Sequence, residues 1–352
     1  MLKPTFALTI GAFSSASDNA VAGPRRLMVA RDMDVAADAG EIVLTSRARV
    51  YLQDGVRVEL GHDGENELVL AGVVAALRPD LAGVQVTVLG VMQHLLDLRT
   101  AAWYDNQSAG AIVRDLIEQA GLEAGAVDEG PSLPRYAVDR RQSGYAHLRR
   151  LADRLGYELY AKRDGKICFQ GLGAGAGLDA GSGLLAAASS AATAVAGSLL
   201  GSGGGVYQYG QHLLRGEARR HVPAWGHIVV GGESPMSGEG DSTAHWLTAN
   251  DSDYQGEAGS GNATLLILDG AARTKDIADR FAAGQLATAA RSAHQVTIRV
   301  LGRPQVDLGD TIQVGSAAEE LINGSGYIRA LHHHFDAVHG FVTDIRMALS
   351  VS

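Results

Sequence analysis

Residues 139–169 read DRRQSGYAHLRRLADRLGYELYAKRDGKICF, and this stretch sets the frame for the rest of the chain. Ser143 is placed to cap a helix by accepting a hydrogen bond from a free N–H of the first turn. Tyr145, Leu148, Leu151, Ala152 and Leu155 then recur at helical spacing and make one apolar stripe. Gly156 follows at the point where a left-handed residue ends a helix. Two short β-prone runs come next, Tyr157–Tyr160 and Ile167–Phe169, around Arg163, Asp164 and Gly165. Asp-Gly supplies the positive φ angles of a tight hairpin turn. The stretch therefore predicts a capped helix running into a hairpin. None of its residues is arranged for chemistry, so it reads as a small packing module between two β regions, its leucines fixing the angle between them.

Outward from this module, composition narrows the field. The chain has 352 residues and 46% hydrophobic content, enough for a substantial core in one large domain or two to three small ones. Aromatics make up only 5% while glycine numbers 45, which predicts many turns and few large side chains. A net charge of −9 argues against a nucleic-acid coat, which needs a basic surface. The single cysteine, Cys168, cannot form an intrachain disulfide and suits a reducing cytoplasm. The first residues, Met1 to Thr5, lead into no signal-peptide pattern.

Before the module, residues 1–100 read as β structure. Thr5–Ile10, Arg47–Tyr51, Val56–Leu60, Leu68–Val74 and Val84–Leu89 alternate, with turn signals at Asp54-Gly55, Asp63-Gly64 and Pro79-Asp80. Such spacing suggests a barrel or sandwich. A helix is predicted over 107–122, capped by Ser108, with Ile112, Val113, Leu116, Ile117 and Ala120 inward and Gly121 at its end. After the module, Gly226–Gly232 and Thr264–Leu268 read as strands on either side of a polar loop, Glu233 to Gly261. Thr274 caps a further helix carrying Ile277, Ala278, Phe281 and Ala282. Val296–Leu301, Thr311–Val314, Tyr327–Phe335 and Gly340–Val351 close the chain as strands. Between Asp179 and Arg215 there is no charge, and residues 171–206 are rich in Gly, Ala, Ser and Leu. This run reads as an insertion of high ordering cost. Its segment Leu184–Leu200 is barely long enough to span a bilayer, and its Ser and Thr content argues against membrane contact.

Candidate chemistry fares poorly against plainer readings. His332, His333, His334 and His339 are the most tempting metal ligands, and His332 and His334 share one strand face. No Cys, Asp or Glu pair is spaced to complete a zinc site with them. The run from Asp251 to Gly256 echoes a calcium loop, but its twelfth position is Asn262 where a bidentate Glu is needed. Gly201 to Gly205 lacks the Lys and Ser or Thr of a phosphate-binding loop. Cys168, between Ile167 and Phe169, reads as a buried small hydrophobe. The pairs Arg25-Arg26, Arg140-Arg141, Arg149-Arg150 and Arg219-Arg220 read as solvated faces that can set register with acidic neighbours. No catalytic, cofactor-binding or metal residue is assigned, and the chain is expected not to be an enzyme.

Three groups of residues carry a family resemblance. The first is the Ser-capped helix with Leu148, Leu151, Ala152, Leu155, Gly156 and Tyr157, followed by Asp164, Gly165, Ile167 and Phe169. The second is Val306-x-Leu308-Gly309-Asp310-Thr311-Ile312-Gln313-Val314. The third is His333-x-Phe335-Asp336 followed by Gly340-Phe341-Val342-Thr343. Together with the runs 70–74, 86–90 and 106–115, this order resembles the late control protein D family, the baseplate hub proteins of contractile phage tails and injection systems. It is similar also to the N-terminal hub part of type VI secretion spike proteins. The resemblance covers most of the chain outside 171–206 and 233–261.

The resemblance implies a mainly β (α+β) fold, in which two β-barrel-like tube domains flank a small middle α/β module. The expected division is 1–100 for the first barrel-like domain and 101–170 for the middle helix-hairpin module. Residues 171–206 are the insertion, and 207–352 the second barrel-like domain with a helix near 274–293. The implied function is a structural hub that forms a homotrimer and joins a hexameric inner tube to a trimeric spike among other baseplate proteins. Two related barrels per chain let three chains match a sixfold tube. The spike needle is then a separate polypeptide, assembly is cytoplasmic, and the product is part of a tail or injection particle. The alternatives are an all-β enzyme acting on glycans or peptidoglycan, which needs two close carboxylates in a cleft, and a membrane-inserting factor using residues 184–200.

Overall fold

The structure is a computed structural model that describes residues 3–18, 23–45, 48–172, 205–232 and 255–349. It is mainly β. The first part of the chain forms β1 (Pro4–Ile10), β2 (Phe13–Ala16), β3 (Arg26–Asp32), β4 (Ala39–Thr45), β5 (Gly55–His62), β6 (Glu65–Pro79) and β7 (Gly83–Gly90). The middle forms α1 (Gln93–Asp97), β8 (Ala102–Ser108), α2 (Ala109–Gln119), β9 (Ala124–Val127), β10 (Ser132–Val138), α3 (Gly144–Leu155), β11 (Glu158–Ala161) and β12 (Ile167–Gln170). The last part begins with β13 (Val206–Gln208), β14 (Leu213–Arg220), β15 (His227–Gly232), β16 (Gln255–Gly259), β17 (Thr264–Asp269) and α4 (Lys275–Arg291). It closes with β18 (His294–Leu301), β19 (Thr311–Gly315), β20 (Gly324–Asp336) and β21 (Gly340–Leu349).

The middle module forms for the reasons its sequence supplies. The Ser143 hydroxyl accepts from the Ala146 N–H at 3.1 Å, and Gly156 ends α3 in the left-handed region at φ 69°. Leu148, Leu151 and Ala152 are wholly buried and Leu155 nearly so. The hairpin pairs Glu158 with Gln170 and Ala161 with Ile167, and Gly165 takes φ 89° at its turn. Ser108 caps α2 in the same way, and Thr274 caps α4.

Two local expectations differ. Residues 48–51 of the run Arg47–Tyr51 form no strand. The Tyr51 N–H is taken by the Asp54 carboxylate at 2.8 Å, a turn bond that removes it from any ladder. Within the polar loop Glu233 to Gly261, β16 pairs antiparallel with β15. Residues 173–204 of the insertion 171–206, with the segment Leu184–Leu200, and residues 251–254 of the calcium-like run Asp251 to Gly256 lie outside the described residues.

Among the described residues, thirteen strands form one sheet, with the main order β14-β18-β21-β20-β3-β4-β7-β6-β5-β1-β2. β19 extends it from β20, and β13 from β19. The two β lobes are therefore joined edge to edge. Their seam is the antiparallel pair β20–β3, running from Ala330 opposite Asp32 to Asp336 opposite Arg26. Packing crosses the seam too. Phe341 of β21 sits in the first lobe's core with Phe6, Leu27 and Ile42, while Met33 sits in the second lobe's core with Val306, Leu331 and Ile345.

A further core belongs to the middle module, and it reaches beyond residues 101–170. Ile228, Val230, Ile277, Ala278 and Phe281 pack in it with Leu116, Leu148, Leu151 and Phe169. The three-stranded sheet β16-β15-β17 and α4 thus join the middle module, although the sequence reading groups them with the second barrel. The apolar side of α4 needs a partner, and α3 offers one at close range. A Cβ on Gly156 would stand only 2.9 Å from the Gly284 Cα. The α3 leucines consequently fill this shared core and do not lie between the lobes.

Candidate functional site: the junction of the lobes

The parts of the chain meet at a junction built from buried charged side chains. β3 alternates Leu27, Val29 and Arg31 inward, so an arginine occupies a core position. Arg31 is 1% exposed. Its Nε donates to Asp38 at 3.0 Å, Nη1 to Asp307 at 2.6 Å and Nη2 to the Ala161 carbonyl at 2.8 Å. Asp307 also accepts from the backbone N–H groups of Arg163 at 3.2 Å and Leu308 at 2.8 Å. One guanidinium therefore ties the first lobe to the middle hairpin and to the second lobe. Burial alone would lower the Arg31 pKa, but the two facing carboxylates outweigh it and raise it. The charge is kept.

A second buried cluster lies on Glu158, which is wholly buried in β11. Its Oε1 accepts from Arg329 of β20, from Tyr327 at 2.9 Å and from Arg291 of α4 at 2.8 Å. Arg329 reaches on to Asp34 at 2.5 Å. Burial, with Glu158 beside it, pushes the Tyr327 phenol up to about 12. Losing one partner from such a buried network costs about 3–5 kcal/mol, because a charge is left uncompensated. Replacing the whole network by apolar groups of matching shape can be neutral. The clusters are thus better read as devices of register than as sources of net stability.

The outward side of the seam is polar. Arg299 holds Asp344 in two bonds at 2.6 and 2.7 Å, with His334 3.3 Å away. Arg346 bonds Asp32 at 2.6 Å and Asp34 at 2.7 Å. Burial would raise the Asp344 carboxyl, but Arg299 and His334 outweigh it and hold it well below the usual carboxylate range.

The structure separates the histidines. His332 and His334 lie outward with ring centroids 6.5 Å apart. His333 points the other way, 1% exposed, with Nδ1 3.0 Å from the Thr343 hydroxyl. Burial, reinforced by the Arg31 charge, pushes its pKa down to about 3. His339 sits in the β20–β21 turn against Asp336 at 3.0 Å. Among the described residues, no three His, Cys, Asp or Glu side chains converge as a metal site. Cys168 is buried, and burial pushes its thiol up, away from the reactive thiolate. Of the arginine pairs, Arg26 meets Glu41, Arg141 meets Asp139 at 3.2 Å, and Arg149 meets Asp153 at 3.0 Å. No helix among the described residues is long and apolar enough to cross a membrane.

Sequence reasoning overlooked Arg31, Asp307, Glu158 and Arg329. For Arg31 a signal existed, since it follows Leu27 and Val29 at period two on the core side. Glu158 gave none, because β11 is buried at every position.

The sequence matches no protein-family model and no curated protein. Its fold does have solved counterparts along its whole length. The 43 kDa tail protein of prophage MuSo2 from Shewanella oneidensis superposes with a TM-score of 0.66 at 13% identity, covering 99% of both chains. A tail protein from Neisseria meningitidis MC58 gives 0.68 at 14% identity, over 98% of this chain and 96% of that one. A type VI secretion system component of E. coli, described as similar in structure to bacteriophage tail proteins, gives 0.56 at 12% identity, over 98% and 77%. At these identities the likeness is one of fold, and it agrees with the hub-like fold that the sequence motifs suggest.

Proposed function

We propose that this chain, which has the fold of phage tail and type VI secretion proteins, is the structural baseplate hub of a contractile tail or injection system, of the late control protein D type. The observation that carries the reading is the end-to-end match of a two-lobed sheet to a prophage tail protein, over 99% of each chain. Three copies form a ring that offers six β lobes to a hexameric inner tube on one side and receives a trimeric spike on the other. The partners are then a second and third copy of this chain, the tube protein, the spike protein and other baseplate proteins. Assembly takes place in the cytoplasm and the product ends in a tail or injection particle.

In this role the buried arginines keep the two lobes at one fixed spacing, which symmetry matching requires. The glycan-acting alternative needs two free carboxylates in a cleft. The cleft between α3, α4 and β17 does hold Asp153 and Asp269. Arg154 grips Asp269 at 2.5 and 2.7 Å, and Arg149 engages Asp153. Both carboxylates therefore have arginine partners, which favours a structural role for them.

Light scattering of the purified chain tests the proposal. A mass near three times the 36.7 kDa of one chain is expected. A monomer at micromolar concentration that binds neither tube nor spike protein would overturn it.

A further inference from the structure

Among the described residues, β17 is an edge strand that carries no charge before its last residue, Asp269. It pairs with β15 on one side and ends the β16-β15-β17 sheet on the other. Its sequence is TLLILD, with no proline, no basic residue and no bulge in its pairing. Natural proteins blunt such edges with charge, proline or irregularity, because an unguarded apolar edge recruits other strands. Leu265 and Ile267 face the core. Leu266 and Leu268 face outward, 60% and 74% exposed. They flank Val229 and Gly231 of the neighbouring strand, and Gly231 leaves Leu268 room to lie across it. The result is an apolar step beside a backbone edge that, among the described residues, pairs with no further strand.

The end of the same strand opens onto the α3–α4 cleft, about 930 Å³ in volume. Ile267, Leu268, Asp269 and Gly270 line it in succession, so the cleft lies at the C-terminal end of β17. Arg149, Arg150 and Arg154 line it against Asp153 and Asp269. Arg149 and Arg154 are engaged by those two carboxylates. Arg150 is exposed and outside both pairs, which leaves the cleft with one positive charge in excess on a chain of net −9.

We propose that β17 is a strand-addition site that takes an extended, alternating acidic and aliphatic segment of a partner protein, its aliphatic side chains on Leu266 and Leu268 and a carboxylate on Arg150. Main-chain hydrogen bonds supply the affinity of such a mode, and the alternate side chains its selectivity. The excess charge favours an acidic strand over a second β17, because two copies would bring equal charges together. This inference goes beyond the hub reading and does not depend on it, since the edge and the cleft belong to one chain.

The test uses the full chain and an acetylated eight-residue peptide alternating valine and glutamate, with a valine–lysine peptide as control. Binding by calorimetry is paired with hydrogen exchange of residues 264–269. The expected result is binding of the glutamate peptide at least tenfold tighter than the lysine peptide, with slower exchange across β17. Arg150→Glu, and separately Leu266→Lys with Leu268→Lys, should each weaken it at least tenfold at an unchanged melting temperature. These positions are exposed, so folding is expected to persist, and Arg150→Glu alone suffices if the leucine variant unfolds. Equal binding of both peptides, no binding, or insensitivity to Arg150→Glu would overturn the proposal. So would protection, in the free chain, of the β17 amides that do not bond β15, or a dimer that Leu268→Lys dissolves.

Discussion

Arg31 shows how much one side chain can decide. It replaces a core hydrophobe, yet its three donors meet two carboxylates and a carbonyl from three parts of the chain. Arg31→Leu should destabilise the protein by about 3–5 kcal/mol, because Asp38 and Asp307 are then buried without a counter-charge. Chemical denaturation reads this directly, and a loss below about 1 kcal/mol would show that water already reaches the cluster. His333 supplies a pH dependence. Its folded pKa of about 3 lies below the ordinary value of 6.5, so the unfolded chain binds the extra proton between these limits. Stability is full above pH 6.5 and falls toward pH 3, by up to about 1.4 kcal/mol per pH unit from this group. His333→Gln should flatten that part of the acid limb relative to the parent, measured as urea midpoints at pH 7 and pH 4.5. Equal pH slopes for the two proteins would remove His333 from the account.

At the scale of elements, the capped helix α3 was legible because its signals are local. Ser143, the leucine spacing and Gly156 all lie within one turn of what they specify. The partner of that helix was not legible, since α4 follows it by more than a hundred residues and meets it through glycines. β3 and β4 were missed for another reason. Arg31 and Gly40 break their apolar alternation, although the structure gives Arg31 an ionic partner set and places Gly40 under the Leu70 side chain. Leu151→Asp belongs here. The side chain is wholly buried in the core that α3 shares with α4 and the hairpin, so an unpaired charge there should cost several kcal/mol and abolish folding. Native-like circular dichroism and melting for this variant would mean that α3 does not pack as described.

For the whole molecule, the sequence pointed to two β regions around a module, and the structure makes them parts of one sheet. No local pattern announces that His333 pairs with Val29; such register is set by which faces both strands must bury. Shared cores follow, with Phe341 on one side and Met33 on the other. Scanning calorimetry of the monomeric unit should therefore show one cooperative transition for both lobes. Two well-separated transitions would mean that the seam contributes little to either lobe.

The strand β20 also has a mechanical reading. Its first residues pair with β19 and its last with β3, with an irregular register near Ile328 and Ala330 on its β21 side. A pull that slides one lobe past the other along the strands loads every rung from Ala330–Asp32 to Asp336–Arg26 together. A pull that lifts one lobe away opens the rungs in succession. The molecule is therefore stiff to thrust along the strand direction of its seam and weak to peeling across it.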